Sequence, residues 1–242
     1  MLEILYRDEY LVAVHKPAGL LVHRSDLDRH ETRFAVQIVR DQIGQPVTPV
    51  HRLDRGTSGV LLFALQREAL IGASRAFELN KVDKTYLAVV RGWPDEGGTI
   101  DHALGRLRDE REFVHAEASI EAQKAITDYR RLATIELPIR VDAYPTSRYA
   151  LVRLHPHTGR RHQLRRHMKH ISHPIVGDAT YGKGRHNRMF QEQFDCRRML
   201  LACTGLALEH PVTGAWLRIA ARPADDFADV LRRFDWTDAL SG

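Results

Sequence analysis

Residues 51–64 read HRLDRGTSGVLLFA, a polar loop that runs directly into an apolar strand. Asp54 stands between Arg52 and Arg55, and the glycine-flanked segment GTSG precedes the apolar run. Such a run predicts a strand buried on both faces, so the loop is attached to rigid scaffold. Glycines there permit sharp turns and close approach of a ligand. We interpret Asp54 as a candidate nucleophile or general base; the alternative is a loop aspartate in surface ion pairs.

Patterns on either side of this stretch predict an α+β fold. Residues 2–19 predict two strands, with Lys16-Pro17-Ala18-Gly19 as a turn. Other alternating or continuously apolar segments predict strands at residues 60–64, 84–92, 124–137, 148–157, 199–211 and 215–223. Apolar residues at helical spacing predict helices at residues 31–44, 67–80, 160–171 and 224–234. The charged, poorly patterned residues 106–121 predict a loop or insertion. Strands outnumber helices and only some alternate with them, so we expect a mixed, largely antiparallel sheet flanked by helices.

Length and composition are those of an ordinary folded chain. The 242 residues fit one large domain or two small ones, and 43% hydrophobic with 28% charged residues supports a buried core. No apolar run reaches 18 residues and the N-terminus lacks signal-peptide features, so we expect a cytoplasmic protein without membrane contact. Two cysteines, Cys196 and Cys203, are too few for a disulfide framework or a zinc knuckle.

Positive charge is concentrated in one part of the chain. The formal net charge is +5, and much of it lies between residues 148 and 198. Phosphate is the usual partner of such a surface, whereas the simpler interpretation is a solvated helix face. The basic residues of this stretch are Arg160, Arg161, Arg165, Arg166, Lys169, Lys183, Arg185 and Arg188.

Several other kinds of site are disfavoured. The HRLD sequence places its acid one residue later than the kinase catalytic loop, and no Asp-Phe-Gly or suitable asparagine follows. No phosphate-binding loop or dinucleotide fingerprint occurs. The histidines between residues 155 and 173 do not form a zinc-protease pattern, so we expect no metal and interpret them as phosphate-contacting or structural residues.

Four blocks of the sequence resemble, in the same order, the RluA-type pseudouridine synthases, which isomerise uridine to pseudouridine in RNA. The overall match runs from about residue 4 to about residue 215. The four blocks within it are YRDEYLVAVHKPAGLLVH, HRLDRGTSGVLLFA, KTYLAVVRG and HPHTGRRHQLRRHMKHISHPIVGDATYG. The resemblance implies a mixed sheet split by a central cleft, which agrees with the α+β pattern.

The resemblance also implies roles for single residues. Asp54 aligns with the catalytic aspartate, Tyr86 with the tyrosine that packs against the target base, and Arg165 with the arginine that pairs with the catalytic carboxylate. Leu200 or Leu201 would supply the apolar wall on the other side of the base. These assignments are expectations for the structure.

Two of these residues have simpler interpretations when taken alone. A tyrosine in an apolar strand, such as Tyr86, usually belongs to the core. Arg165 shares a helix face with Arg161 and Lys169 at four-residue spacing, which is typical of an exposed basic stripe. An arginine that meets Asp54 would instead point inward, so burial distinguishes the two interpretations.

The chemistry of the reaction matches these residue types. Uridine and pseudouridine contain the same atoms, so the isomerisation requires no cofactor. It requires a carboxylate, an aromatic platform for the detached uracil and a cation beside the carboxylate. The target base must also leave the RNA stack, at a cost of a few kcal/mol. Phosphate contacts supply binding energy for this step, and the candidate RNA-binding residues are Arg52, Arg55, Arg160, Arg161, Lys183, Arg185 and Arg188.

The pattern also suggests a branch of the family. The catalytic strands begin almost at Met1, so we expect residues 1–242 to form a single catalytic domain without an accessory RNA-binding domain, acting as a monomer. The blocks look closest to the bacterial branch that modifies uridine 65 of tRNA, although ATYGKGRHNR and residues 106–121 depart from the expected pattern. The alternative within the family is a ribosomal RNA uridine synthase.

Two further alternatives lie outside this activity. An inactive RNA-binding module of the same fold would need a defect among Asp54, Tyr86 and Arg165, and none is present. A carboxylate-dependent hydrolase would use Asp54 and Asp178, whose carboxyl groups would then lie about 5 to 9 Å apart across a sugar-sized cleft.

Overall fold

The computed structural model describes residues 1–23, 31–107 and 121–240. The predicted insertion at residues 106–121 therefore falls mostly outside the described residues. Within the described part of the chain, no helix is long and apolar enough to cross a membrane.

The described residues form twelve strands: β1 (Ile4–Arg7), β2 (Leu11–Lys16), β3 (Thr48–Pro49), β4 (Ser58–Ala64), β5 (Asp83–Arg91), β6 (Gly97–Asp101), β7 (Leu104–Gly105), β8 (Ala122–Gln123), β9 (Ile126–Leu137), β10 (Ser147–Pro156), β11 (Leu201–Glu209) and β12 (Trp216–Ala220). Ten of them form one sheet with the principal order β1-β2-β4-β11-β5-β10-β9-β6, in which β12 pairs with β11 and β3 pairs with β4; β7 and β8 pair separately. Among these described strands, only β4 and β11 pair in parallel, and the other pairs are antiparallel. This confirms the expected mixed, largely antiparallel sheet.

The strand β4 occupies the interior of the sheet, as its apolar run predicts. All seven of its residues are buried between β2 and β11. Gly59 has a φ of 107°, and a Cβ atom there would lie 1.9 Å from the Cys203 carbonyl oxygen. Only glycine permits this close approach, which fixes the start of β4, and the HRLDRGT loop before it, beside β11.

In the described part of the chain, five helices cover the sheet: α1 (Ala35–Ile43), α2 (Arg67–Glu78), α3 (Gln163–His170), α4 (Gly184–Phe194) and α5 (Asp225–Arg233), followed by a 3-10 turn at Asp238–Leu240. The apolar periodicity of the sequence predicts four of them, and α1 ends as predicted at Gly44, whose φ is 75°. The sequence pattern does not predict α4.

The central strand β5 separates two parts of the core. Leu87 and Val89 belong to a cluster that contains buried residues of α4 and α5. Ala88 and Val90 belong to a second cluster that contains Leu164 and Met168 of α3, and Tyr86 packs against it. Because successive side chains of a strand point to opposite faces, Tyr86 lies on the α3 face of the sheet.

Candidate active site

Asp54 lies in the loop before β4, where its carbonyl oxygen accepts a hydrogen bond from the Thr57 amide at 3.0 Å. Its side chain is 29% exposed, whereas Thr57 and Ser58 are buried. The loop is therefore held from the sheet side while the carboxylate remains partly open to solvent. This arrangement suits a carboxylate that meets a ligand.

Lys16 fastens this loop to the turn after β2. Its side chain is fully buried, and its ammonium donates to the carbonyl oxygens of Pro17, Leu20 and Arg55 at 3.0, 2.7 and 3.2 Å. Burial, followed by the charge of Arg198, lowers the pKa of Lys16 to about 7. Sequence reasoning identified this segment only as a turn, because nothing in a Lys-Pro-Ala-Gly sequence indicates that the lysine points inward.

Arg165 meets Asp54 as the motif pattern predicts. Its Nη1 lies 3.0 Å from Asp54 Oδ2, across 111 positions of sequence. The Arg165 side chain is 10% exposed, so the interpretation as an exposed stripe with Arg161 and Lys169 does not hold for this residue. Burial lowers the pKa of Arg165, but Asp178 and then Asp54 raise it by more, so the guanidinium keeps its charge.

Asp178 is the second partner of Arg165. Arg165 Nε donates to Asp178 Oδ2 at 2.7 Å and Nη2 to Oδ1 at 2.9 Å. The amides of Thr180 and Tyr181 also donate to Oδ1, each at 2.9 Å. Burial raises the pKa of Asp178, but these hydrogen bonds outweigh it and lower the pKa below its ordinary value.

The geometry of Asp178 does not suit a hydrolase. Its side chain has no exposed surface, and both of its oxygens accept hydrogen bonds from within the protein. A hydrolytic acid or base must reach a substrate or its water. Asp178 instead orients Arg165, a role that sequence reasoning missed although the residue lies within the fourth motif block.

Tyr86 lies on β5 between Leu154 of β10 and Cys203 of β11. The residue is partly buried. Burial, then the Cys203 thiol and the charge of Asp54, raise the pKa of the Tyr86 hydroxyl well above 10. The Tyr86 hydroxyl therefore stays protonated at neutral pH.

The assignment of Leu200 to the base-contacting wall does not fit the structure. Leu200 is fully buried in the cluster of Leu87 and Val89, on the face of the sheet opposite Tyr86. Leu201 belongs to the cluster against which Tyr86 packs. The alternation of side chains along the chain separates these neighbours, so Leu201 is the residue of the pair on the correct side.

The turn before α3 brings a further group to Asp54. Gln163 is buried and bonds through its side chain to Arg160, Ile126 and Thr127, which anchors the turn to β9. His162 then adopts a left-handed φ of 56°. Its Nε2 lies 3.8 Å from Asp54 Oδ1. Sequence reasoning missed this residue because five other histidines surround it between residues 155 and 173.

Four of the predicted RNA-binding arginines lie in the two loops that carry Asp54 and His162. Arg52 and Arg55 flank Asp54 in the sequence, and Arg160 and Arg161 come just before His162. Arg52, Arg55, Arg160 and Arg161 are all exposed. Arg55 forms an ion pair with Glu31 at 2.5 Å and donates to the Gly19 carbonyl at 3.2 Å.

The predicted RNA-binding residues of α4 are also exposed, but the helix packs on the other face of the sheet. Met189 and Phe190 bury it against the cluster of Leu87 and Val89. Arg185 lies 3.7 Å from Asp142, in the turn between β9 and β10. That turn lies before Ser147, the first residue of β10. The residue of β10 that pairs with Tyr86 is Leu154, about 20 Å along the strand from Ser147. The structure does not bring Arg185 to Asp54; Arg188 lies on the same helix, and Lys183 is the residue just before it.

The histidines have structural partners. His167 is fully buried, with ring nitrogens at 2.9 Å from Thr127 Oγ1 and 3.0 Å from the His102 carbonyl oxygen. Among the described residues, no three histidine, cysteine or acidic side chains form a group that would hold a metal ion.

Comparison with known proteins gives a consistent result. Residues 10–170 match the RNA pseudouridylate synthase family. The chain is 50% identical over 239 residues to tRNA pseudouridine synthase C of Vibrio parahaemolyticus, covering 99% of this chain and 97% of that protein. It is 51% identical over 235 residues to tRNA pseudouridine synthase C of Pasteurella multocida, covering 97% of each.

Solved structures of similar fold include two human proteins. Human RNA pseudouridylate synthase domain containing 1 superposes with a TM-score of 0.70 at 28% identity, covering 92% of this chain and 84% of that one. Human RNA pseudouridylate synthase domain containing 4 superposes with a TM-score of 0.69 at 25% identity, covering 96% and 93%.

Proposed function

The chain belongs to the RNA pseudouridylate synthase family, and we propose that it isomerises uridine to pseudouridine in tRNA with Asp54 as the catalytic carboxylate. The observation that carries this proposal is the partly exposed Asp54 carboxylate held by the buried Arg165 at 3.0 Å. Tyr86 lies on the face of the sheet covered by α3, the helix that carries Arg165.

The reaction assigns a task to each of these groups. The N1–C1′ bond of uridine breaks, the uracil turns and C5 bonds to C1′, after which C5 loses its proton and N1 gains one. Asp54 acts either on the ring or sugar as a nucleophile or on C2′ as a base. Arg165 keeps the carboxylate charged and oriented. Tyr86 holds the detached uracil against its ring, while Leu201 replaces Leu200 as the proposed apolar contact.

The substrate is proposed from relatives and from charge. This chain matches nearly the full length of the relatives named tRNA pseudouridine synthase C. The motif blocks favour uridine 65 of tRNA as the target. We expect a single catalytic domain that acts as a monomer in the cytoplasm. RNA affinity then comes from cationic side chains around the site, of which Arg52, Arg160 and Arg161 are the nearest candidates in the two loops.

The test uses RNA that lacks the modification. The protein is incubated with in vitro transcribed tRNA and ribosomal RNA, and pseudouridine is mapped by chemical labelling. We expect product at uridine 65 of tRNA with the wild type and none with Asp54→Asn, which removes a charge with little change in shape. Product only in ribosomal RNA would move the assignment to the alternative substrate. Tight RNA binding without any product would identify an inactive RNA-binding module.

A further inference from the structure

Asp54 has two carboxylate oxygens, and the structure gives them different neighbours. Oδ2 accepts a hydrogen bond from Arg165 at 3.0 Å. Oδ1 faces His162 Nε2 at 3.8 Å. Arg165 therefore fixes the position of Oδ2. The rotation of the carboxylate about its Cβ–Cγ bond then depends on the group that faces Oδ1.

We propose that His162 is a positioning residue for Asp54 and that Tyr181 sets the orientation and tautomer of its ring. This inference rests on the function proposed above, because it assigns His162 to the same site. The distance of 3.8 Å is longer than a hydrogen bond, and catalytic contacts of this kind often shorten only when substrate is bound.

The second nitrogen of the His162 ring supplies the orientation. His162 Nδ1 lies 3.1 Å from the Tyr181 hydroxyl. A carboxylate accepts but does not donate, so the nitrogen facing Asp54 carries the proton in the favourable tautomer. Nδ1 is then an acceptor and takes the Tyr181 hydroxyl proton. The Tyr181 hydroxyl thus donates to His162 Nδ1, and the Nε2 proton of His162 points toward Asp54 Oδ1, to which it donates once the contact shortens.

Tyr181 connects the two groups that flank Asp54. The Arg165 guanidinium carbon lies 5.0 Å from the centre of the Tyr181 ring, while the Tyr181 hydroxyl contacts His162. The Tyr181 amide also donates to Asp178. One tyrosine thus contacts both side chains that meet the Asp54 carboxylate, through different parts of its own side chain.

The backbone and charge of His162 agree with a specific role. Its φ of 56° lies in the left-handed region that histidine adopts infrequently. Burial lowers the pKa of the His162 ring. Asp54 and Asp178 oppose this effect, whereas Arg165 and Arg161 add to it. The ring is therefore neutral at neutral pH, and it positions Asp54 as a dipole without cancelling its charge.

The first test separates the ring from the backbone. His162→Gly removes the ring but tolerates the left-handed φ, and Tyr181→Phe removes only the hydroxyl and keeps the ring under Arg165. We expect His162→Gly to slow single-turnover pseudouridine formation at saturating tRNA by about 10- to 100-fold, the equivalent of one hydrogen bond to a charged group. RNA affinity by filter binding should stay within about twofold.

Combined variants give the remaining kinetic evidence. Tyr181→Phe should reduce the rate in the same direction but less, and the double variant should be no slower than His162→Gly because the hydroxyl acts through the ring. His162→Gln, which keeps a donor near the Nε2 position, should recover part of the rate. The control is His157→Gly, since His157 is an exposed histidine of the same segment that pairs with Asp128.

A measurement without substrate decides the contact itself. In ring-proton NMR titrations, with the His162 signal assigned from the His162→Gly spectrum, Asp54→Asn should lower the pKa of His162 further because the carboxylate that raises it is gone. If wild-type protein forms no pseudouridine in any RNA, the proposed function fails while this titration still tests the positioning contact. An unmoved pKa, an unchanged rate for His162→Gly, or a loss of RNA affinity alone would overturn the inference.

Discussion

Arg165 and Asp178 form a bidentate ion pair, with nitrogen–oxygen distances of 2.7 and 2.9 Å and no exposed surface on the Asp178 side chain. This pair fixes the plane of the guanidinium and directs its remaining nitrogen, Nη1, at Asp54. Planar two-point pairing gives geometric specificity that a lysine at the same position would lack. The position of Asp54 therefore depends on a carboxylate that a substrate does not reach.

Asp178→Asn should lower both stability and rate. The change leaves the buried Arg165 with one charged partner instead of two, and removing one member of a buried pair costs about 3 to 5 kcal/mol. We expect a loss of unfolding free energy toward the lower end of this range, because Asp54 still pairs with Arg165. Urea unfolding and single-turnover kinetics measure the two effects.

Asp142→Asn is the matched control for this variant. Asp142 also accepts from a basic side chain, His186, at 3.0 Å, but it is 43% exposed and lies in the turn between β9 and β10. Because Asp142 itself is open to solvent, losing its charge should cost about 1 kcal/mol or less of unfolding free energy, and the rate should not change. Equal rate losses in the two variants would contradict the role of Asp178 in orienting Arg165.

His51 makes stability depend on pH between about 4 and 6.5. Its Nε2 accepts the Leu62 amide at 3.1 Å, and its ring stacks on Phe77. Burial lowers the pKa of His51 from 6.5 to about 4. The unfolded chain therefore binds a proton in this window that the folded chain excludes, so the unfolding free energy should fall as the pH falls.

The measurement is urea unfolding of wild type and His51→Gln at several pH values between 4 and 7. The variant lacks the titrating ring, so its decline over this window should be smaller. Other histidines with lowered pKa values, such as His167 and His186, account for the decline that remains. Identical pH profiles would show that His51 is not the neutral acceptor of the Leu62 amide.

The central part of the fold was predictable because its signals are local. The apolar run of β4 and the helical spacing of α1, α2, α3 and α5 each lie within one segment of sequence. The motif resemblance supplied the long-range pairing of Asp54 with Arg165, which no periodicity contains. The short strands β3, β6, β7 and β8 were not predicted, because their pairing partners rather than their own patterns define them.

The features that the sequence did not predict, helix α4 and the buried charges of Lys16 and Asp178, share a physical cause. α4 begins with GRHNR, a charged sequence whose buried His186, Met189 and Phe190 are few and widely mixed with polar residues. Lys16 and Asp178 are charged residues whose burial depends in part on partners from other segments of the chain, Arg55 and Arg165. Charged residues usually lie at the protein surface, so the sequence alone predicts an exposed position for both. Only the three-dimensional arrangement identifies them as anchors of the site.

Tyr86 variants should separate the ring from the hydroxyl. The raised pKa of the hydroxyl keeps it protonated at neutral pH, so we expect Tyr86→Phe to bind tRNA within about twofold of wild type and Tyr86→Ala to bind and react poorly. Filter binding and single-turnover kinetics distinguish the two. A Tyr86→Phe variant that binds normally but reacts slowly would instead assign the hydroxyl a proton-transfer role.

RNA binding should fall steeply with salt, and two exposed arginines, Arg160 and Arg188, provide a comparison. Arg160 lies just before His162, whose ring faces Asp54, whereas Arg188 lies on α4, which packs on the face of the sheet opposite Tyr86. Each phosphate contact releases about one counterion, so we expect a log–log slope of about −3 to −6 for wild type and a slope flatter by about one unit for Arg160→Gln. Arg188→Gln should leave the slope almost unchanged, because the structure does not bring α4 to Asp54.

Arg165→Ala should leave the slope almost unchanged and greatly reduce the single-turnover rate, since its partners are Asp54 and Asp178 rather than phosphate. A lower slope with a normal rate for Arg165→Ala would place this arginine in the RNA-binding surface and remove it from the proposed catalytic site.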